Sequence, residues 1–259
     1  MKSKALLVGI NHYPHPENVL QGCINDIEDM HTFITTKHPI YSNEDIKMLK
    51  DHHATKQNIK EQLQWLIHDL SSGDQILFHY SGHGAQLPSI QSDIEKDGKD
   101  EIICPYDFDW TAATTFRDKE FASLFKLIPE GVHFVWISDS CHAGDLSKLA
   151  PKPIPNTKYR VFNPHDAFTT QVQLKTLSHG KLSGALLSAC GENQLSADAY
   201  IDNRYNGAFT YFLLKNLEAH GTDKPMNELI TLIQHDLIQH GFDQIPQIEG
   251  TMQQMPFFK

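Results

Sequence analysis

The sequence lacks the long apolar segments of a membrane protein. No run of about 18 apolar residues, the length that a transmembrane helix needs, occurs along the chain. The apolar stretch at 5–10 is too short for the hydrophobic region of a signal peptide, and the polar residues Asn11 and His12 follow it directly. We therefore expect a cytoplasmic protein that has no membrane partner.

Cysteine is scarce, and its spacing excludes two common uses. The 4 cysteines are widely separated and include no C-x-x-C pair. Neither a disulfide framework nor a zinc site is indicated, and a reducing compartment fits this usage. The 16 histidines show no H-E-x-x-H spacing, so we expect most of them to be surface residues.

Clusters of basic residues are also missing. The chain carries 22 Lys and Arg against 32 Asp and Glu, which gives a formal net charge of -10. Binding through phosphate neutralisation needs clustered positive charge, so we expect no nucleic-acid partner. A cationic peptide suits this balance better as a substrate.

The sequence contains short apolar runs that alternate with amphipathic segments. The apolar runs predict strands at 4–10, 46–49, 75–80, 132–138, 184–189 and 244–249, whereas a 3.6-residue period predicts helices at 25–36, 55–70, 118–127, 208–219 and 226–239. This order predicts an α/β fold with a mainly parallel central sheet of about six strands and helices on both faces. Residues 146–182 show no sustained period, which predicts a linker.

A histidine and a cysteine follow two of these predicted strands. His83 stands between Gly82 and Gly84 after the strand at 75–80, and Cys141 follows the strand at 132–138. Parallel strands bring such residues to one edge of the sheet, where an imidazole can take the proton of a thiol. We predict Cys141 as nucleophile, His83 as general base and acid, and the N–H groups of Gly84 and Cys141 as oxyanion donors.

Six motifs in order extend this pattern over nearly the whole chain. They are Gly22-Cys23-x-Asn25-Asp26, Ser81-Gly82-His83-Gly84, Asp100-Glu101-x-Ile103-x-Pro105-x-Asp107, Asp139-Ser140-Cys141-His142-x-Gly144, Ser188-Ala189-Cys190 with Ser196-Ala197-Asp198, and Gly207-Ala208-Phe209-Thr210. Together they resemble the caspase-like cysteine peptidases, and among them the metacaspases and their prokaryotic relatives, the orthocaspases. The Q-A-C-x-G signature of animal caspases is not matched, so a different specificity is expected.

The resemblance implies a caspase-like fold and an endopeptidase that cleaves after Arg or Lys through a thioester. It implies that Asp26, Ser81 and Asp139 bind the basic side chain on the N-terminal side of the scissile bond. This agrees with physical chemistry, because paired carboxylates bind a guanidinium and repel an acidic group. Two alternatives stay open: Asp26 could cap a helix, and Asp139 could orient the loop that carries Cys141.

The resemblance also divides the single domain into a large-subunit-like part (1–145), a flexible linker (146–182) and a small-subunit-like part (183–259). It implies a monomer and self-cleavage in the linker, whose basic residues are Lys148, Lys152, Lys158, Arg160, Lys175 and Lys181. No recruitment domain is expected before the first strand. The chemistry requires no cofactor.

Calcium is implied as an activator, with Asp100 and Asp118 as partial counterparts of the family's ligands. Hard carboxylate oxygens suit this ion. Lys119 stands where a second acid is usual, so a solvated acidic loop without an ion is the alternative. Two other functions also stay open: a catalytically silent peptide-binding scaffold, and a cysteine hydrolase that acts after a different residue.

Overall fold

A computed structural model of the chain describes residues 1–37, 39–88, 99–141, 154–162, 182–191 and 194–259. The strands of this part are β1 (Ser3–Gly9), β2 (Ile46–Lys50), β3 (Gln75–Ser81), β4 (Gly84–Pro88), β5 (Lys99–Ile103), β6 (Phe116–Arg117), β7 (His133–Asp139), β8 (Thr157–Tyr159), β9 (Ala185–Ser188), β10 (Ala197–Ile201), β11 (Arg204–Gly207) and β12 (Gln247–Gly250). Its α-helices are α1 (Cys23–Thr32), α2 (Lys56–Ile67), α3 (Asp118–Phe125), α4 (Ala208–His220) and α5 (Met226–Gln239).

The central sheet has six strands in the order β12-β9-β7-β3-β1-β2. Neighbouring strands from β9 to β2 are parallel, and only the pair formed by β12 and β9 is antiparallel. Successive residues of β1 point to opposite faces: Leu7 joins the core that α1, α4 and α5 cover, and Leu6 joins the core that α2 and α3 cover. The predicted mainly parallel sheet with helices on both faces is confirmed.

Helix starts follow local capping chemistry. Thr55 is the N-cap of α2, as its sequence indicates, and its hydroxyl accepts a hydrogen bond from the Asn58 N–H at 3.3 Å. α1 begins two residues before the predicted start, because the side-chain oxygen of Asn11 accepts hydrogen bonds from the N–H groups of Cys23 and Ile24 at 2.8 and 3.3 Å. A π-helical turn, Phe33–Lys37, then continues α1.

Two small antiparallel sheets were not predicted. One has the order β4-β5-β6, and the other has the order β11-β10-β8. β5 lies in a region expected to be an acidic loop, and β8 lies inside the expected linker, so the irregular structure predicted for 146–182 is wrong for Thr157–Tyr159. Strands this short carry too few residues to show a period, and their pairing with distant segments determines them.

No α-helix in the described part of the chain is long and apolar enough to span a bilayer.

Candidate active site

The ends of β3 and β7 bring the two predicted catalytic segments together. These strands are parallel neighbours, and Ser81 of β3 pairs with Asp139 of β7. The Gly82 N–H donates to the Asp139 carbonyl at 3.3 Å, which extends the pairing past the strands. His83 and Cys141 therefore leave the same edge of the sheet side by side.

His83 is buried and held at both its main chain and its ring. Its N–H donates to the Tyr13 hydroxyl at 2.9 Å, and its carbonyl accepts from the Tyr80 hydroxyl at 2.7 Å. The ring Nε2 lies 2.8 Å from the Asn18 carbonyl. Since a carbonyl can only accept, Nε2 carries the proton and Nδ1 has the lone pair.

The charge state of His83 follows from its burial. Burial lowers the pKa of His83 to about 4, against the raising effect of the Asn18 and Arg160 main chains. The ring is therefore neutral near pH 7. Its Nδ1 is buried and has no hydrogen-bond partner among the described residues. A neutral imidazole with an unoccupied Nδ1 can accept a proton from a thiol.

Two main-chain N–H groups, one of them that of Cys141, donate to the same carbonyl oxygen. Cys141 is buried, and its Sγ accepts a hydrogen bond from the Ser196 N–H at 2.8 Å. The N–H groups of Gly84 and Cys141, both predicted as oxyanion donors, donate to the Arg160 carbonyl at 3.0 and 3.2 Å. A Cβ at Gly84 would collide with the Cys141 carbonyl oxygen, so this close approach requires glycine.

The Arg160 guanidinium is fully buried among three carboxylates. Its Nη2 lies 2.8 Å from Asp26 Oδ2 and 3.1 Å from Asp198 Oδ1. Its Nη1 lies 3.1 Å from Asp139 Oδ1 and donates to the Ser81 hydroxyl at 2.7 Å. Asp26, Ser81 and Asp139, predicted to bind a basic side chain, thus all contact an arginine of the chain itself.

Asp26 and Asp139 are fixed by further hydrogen bonds. Asp26 accepts from the Ser81 hydroxyl at 2.6 Å and from the Gly207 N–H at 2.8 Å, whereas Asn11 caps α1. Asp139 accepts from the Ser196 hydroxyl at 2.6 Å and from the Thr210 hydroxyl at 2.7 Å. Burial raises the pKa of Asp26 to about 6, although the Arg160 charge opposes this shift.

Gly207 leaves the space that the guanidinium fills. A Cβ at this position would collide with the carboxylates of Asp26 and Asp139 and with the Arg160 guanidinium. Gly207 ends β11 and directly precedes α4, so the start of this helix lies against the carboxylates. The first residue of the Gly207-Ala208-Phe209-Thr210 motif is therefore important because it has no side chain. The last residue supplies a hydroxyl group that contacts Asp139.

Asp198 and Ser196 belong to this site but were not assigned to it from the sequence, although their motif was noted. Asp198 accepts from the N–H groups of Gln21 and Gly22, each at 2.8 Å, and contacts Arg160. Ser196 donates its N–H to Cys141 Sγ and its hydroxyl to Asp139. The signal was the spacing Ser196-Ala197-Asp198, in which an acidic residue occupies a short apolar strand.

The chain around Arg160 lies extended across the site. β8 pairs antiparallel with β10, so that Tyr159 lies opposite Ala197. The Arg160 N–H then donates to the Ser196 carbonyl at 3.0 Å, and the Phe162 N–H donates to the Gly84 carbonyl at 3.2 Å. Main-chain pairing on both sides of Arg160 keeps this segment extended, as a peptide bound by strand pairing is.

The predicted metal ligands belong to two different elements. Asp100 belongs to β5 and Asp118 is the first residue of α3, but both side chains are outside what the structure describes. Among the described side chains, no group of three or more His, Cys, Asp or Glu residues is arranged to hold a metal ion.

The other three cysteines are buried and form no disulfide bond, as is also true of Cys141. Burial raises the pKa values of Cys23 and Cys104 well above the ordinary thiol value. These two thiols stay protonated and unreactive near pH 7. Cys190 is 3% exposed and donates to the Gln194 carbonyl at 3.4 Å.

The sheet order and the cysteine and histidine at the ends of β7 and β3 define the class of caspase-like cysteine peptidases. The fold of caspase-1 from Spodoptera frugiperda is similar, with a TM-score of 0.63 and 13% identity over 100% of this chain and 90% of that one. A crystal structure of a Geobacter sulfurreducens protein has a TM-score of 0.72 and 27% identity, and the match covers 100% of this chain and 99% of that one.

Sequence comparison identifies the family. The family model for the metacaspase peptidase C14 domain matches residues 3–150. Metacaspase-1 of the yeast Meyerozyma guilliermondii is 30% identical over 96% of this chain and 70% of its own length. Metacaspase-1B of Aspergillus oryzae is 29% identical over 95% of this chain and 67% of its own length. The chain belongs to the metacaspase family of cysteine peptidases.

Proposed function

We propose that the protein is a cysteine endopeptidase that cleaves peptide bonds after arginine and, more slowly, after lysine. The observation that supports this proposal is the position of Arg160. Its guanidinium lies among Asp26, Asp139 and Asp198, while its carbonyl oxygen accepts from the N–H groups of Gly84 and Cys141. Three carboxylates around one cation favour a basic side chain and repel an acidic one.

The reaction needs only groups of this chain and water. Nδ1 of His83 takes the proton of Cys141, and the thiolate attacks the carbonyl carbon of the substrate. The N–H groups of Gly84 and Cys141 stabilise the negative charge that develops on the oxygen. His83 then gives its proton to the leaving amine, and a thioester remains on Cys141. Water hydrolyses this thioester, with His83 as base, and the thiol is restored.

Arginine is expected to be preferred over lysine at the cleaved position. The two Nη atoms of Arg160 reach different carboxylates, Asp26 and Asp198 through Nη2 and Asp139 through Nη1. A lysine ammonium is a single compact charge and cannot span the three groups in this way.

Fluorogenic peptides test the specificity directly. The sequence Thr-Lys-Tyr-X, which copies residues 157–160, carries coumarin after X, where X is Arg, Lys, Gln or Asp. We expect release from Arg and Lys peptides only, and none by Cys141→Ala. Cleavage after Gln or Asp at the same rate as after Arg would overturn the assignment of the acidic residues.

We further propose that the chain cleaves itself between Arg160 and Val161. Of the basic residues of the expected linker, only Lys158 and Arg160 lie within the described residues. Lys158 directs its Nζ to the Val19 carbonyl at 2.7 Å, whereas Arg160 contacts the three carboxylates. Intact-mass measurement of the purified protein should give fragments 1–160 and 161–259. Cys141→Ala and Arg160→Gln should remain uncut at this bond. A wild-type chain that stays whole, or is cut elsewhere, would contradict this proposal.

Calcium activation through Asp100 and Asp118 is proposed on the family resemblance alone. A chelator should then lower the rate on the arginine peptide, and added calcium should restore it. Asp118→Asn should weaken the response to calcium more than it changes the maximal rate. A rate that chelator leaves unchanged would dismiss the calcium site.

A further inference from the structure

The side chain that follows the Arg160–Val161 bond by one residue lies in an aromatic cluster. Phe162 is 4% exposed. Its ring centroid is 5.0 Å from that of Phe108, 5.5 Å from that of Tyr13 and 6.0 Å from that of Trp110. Edge-to-face contacts at these separations stabilise aromatic pairs beyond simple area burial.

The residues around Phe162 are held in place without its help. The Tyr13 hydroxyl donates to the Cys104 carbonyl at 3.2 Å and accepts from the His83 N–H. Phe108 is buried, and its ring lies 4.9 Å from that of Trp110. None of these contacts involves Phe162. The side chains that surround Phe162 therefore keep their positions when another peptide occupies the site.

Trp110 has an unusual main chain for so large a residue. Its φ is 67°, in the left-handed region that bulky side chains rarely adopt. The turn is maintained by the Asp109 carboxylate, which accepts from the Thr111 N–H at 3.0 Å and from the Thr111 hydroxyl at 2.6 Å. A strained residue persists only where its surroundings over-determine it, which is common at ligand-binding positions.

The main chain links this cluster to the reaction centre. The Phe162 N–H donates to the Gly84 carbonyl, and Val161 forms a parallel bridge with Gly84, which is itself an oxyanion donor. Phe162 also meets the His83 ring edge-on, with 5.6 Å between centroids. A side chain seated in the cluster therefore sets the position of the scissile bond relative to the nucleophile and base.

We propose that Tyr13, Phe108 and Trp110 form a binding pocket for the second residue after the scissile bond. The substrates it fits are peptides in which a basic residue is followed, one residue later, by Phe, Tyr or Trp. This proposal rests on the proposed endopeptidase activity and adds a second specificity determinant on the leaving-group side. Phe162 would be the internal example of such a side chain.

Internally quenched peptides that vary only at this position test the pocket. The series copies residues 157–162 as Thr-Lys-Tyr-Arg-Val-X, followed by a constant tail, where X is Phe, Leu, Ala or Glu. Every peptide competes with the same internal segment for the site. The fraction of enzyme molecules whose site is free of this segment affects every peptide equally. It therefore cancels in the ratio of two kcat/KM values.

We expect the Phe peptide to exceed the Ala peptide in kcat/KM by roughly tenfold, the scale at which an apolar pocket discriminates. Trp110→Gly removes the ring and also suits the positive φ, so this variant is designed to keep the turn. It should bring the ratio of Phe to Ala close to one. Phe108→Leu, which retains an apolar core side chain, is a second variant and should lower the same ratio.

Trp65→Ala is the matched control, because Trp65 is a partly buried tryptophan on α2 whose ring faces the Lys4 and Lys47 ammonium groups. It should keep the wild-type ratio. A wild-type ratio near one, or a ratio that neither Trp110→Gly nor Phe108→Leu changes, would show that Phe162 only packs within this chain. Failure to cleave the coumarin peptide with arginine would instead overturn the proposed function itself.

Discussion

Asp198 joins the main chain before α1 to the buried guanidinium. It accepts from the N–H groups of Gln21 and Gly22 and contacts Arg160, and it is itself fully buried. A buried carboxylate is costly unless hydrogen bonds or opposite charge compensate it. Here two N–H groups compensate it independently of Arg160, so this carboxylate is prepared for a cation before one arrives.

Replacing Asp198 should therefore weaken the binding of arginine. For Asp198→Asn we expect kcat/KM on the coumarin peptide with arginine to fall about 30-fold or more, because losing one partner of a buried charge pair costs about 2 kcal/mol or more. Asp45→Asn is the control, since Asp45 is exposed and contacts Ser42. Equal kinetics for the two variants would show that Asp198 has only a structural role.

The buried side chain of His79 should make the stability of the fold depend on pH. It is buried beside the site, where its Nε2 lies 3.3 Å from the Thr210 hydroxyl, and burial lowers its pKa from 6.5 to about 4. The unfolded chain binds this proton at higher pH than the folded chain does. The contribution of neutral His79 to the free energy of unfolding is thus present above pH 6.5, and it is lost as the pH falls towards 4.

The measurement is the free energy of unfolding as a function of pH, for wild type and His79→Gln. The wild-type curve should fall more steeply than that of the variant between pH 6.5 and 4, the interval between the ordinary and the lowered pKa of His79. Burial lowers the pKa of His83 to about 4 as well, so part of the slope should remain in the variant. Parallel curves would contradict the assigned shift.

At the scale of elements, α4 can begin beside the carboxylates because Gly207, the residue before it, has no side chain. A Cβ there would meet two carboxylates and the guanidinium, so Gly207→Ala should raise KM for the arginine peptide. Gly191→Ala provides the control, because a Cβ at Gly191 would have no neighbour closer than 3.4 Å among the residues that the structure describes. Unchanged KM in Gly207→Ala would mean that the pocket relaxes around a methyl group.

The elements that could be predicted are those with a long, clear period. α5 matches its predicted bounds, Met226–Gln239, and α2 begins after the predicted cap, Thr55. β3 and β7 were also predicted within one residue at each end, and they bring His83 and Cys141 to one edge. Periodicity succeeds here because burial on a fixed face determines these elements.

The parts that could not be predicted depend on contacts between distant segments. β8 has three residues and forms only because β10 lies alongside. The burial of Arg160 among three carboxylates joins residues from four separate regions, and no local pattern around position 160 indicates it. Asp198 was visible as part of a motif, but its contact with the guanidinium required the fold.

At the scale of the whole molecule, we expect a monomer. The net charge of -10 makes copies of the chain repel one another. β12, at one edge of the central sheet, has four residues, and short edge strands resist pairing with other copies. Light scattering on an eluting peak should give a mass near 29.4 kDa for the uncut chain. A mass twice as large at low micromolar concentration would contradict this expectation.

The most direct test of the central claim is covalent trapping of the nucleophile. A peptidyl acyloxymethyl ketone with arginine at its reactive end is incubated with the protein beside the same compound with aspartate, and the adduct is located by peptide mass mapping. We expect one adduct, on Cys141, with the arginine compound and none with the aspartate compound. Labelling of another cysteine, or equal labelling by the two compounds, would contradict it.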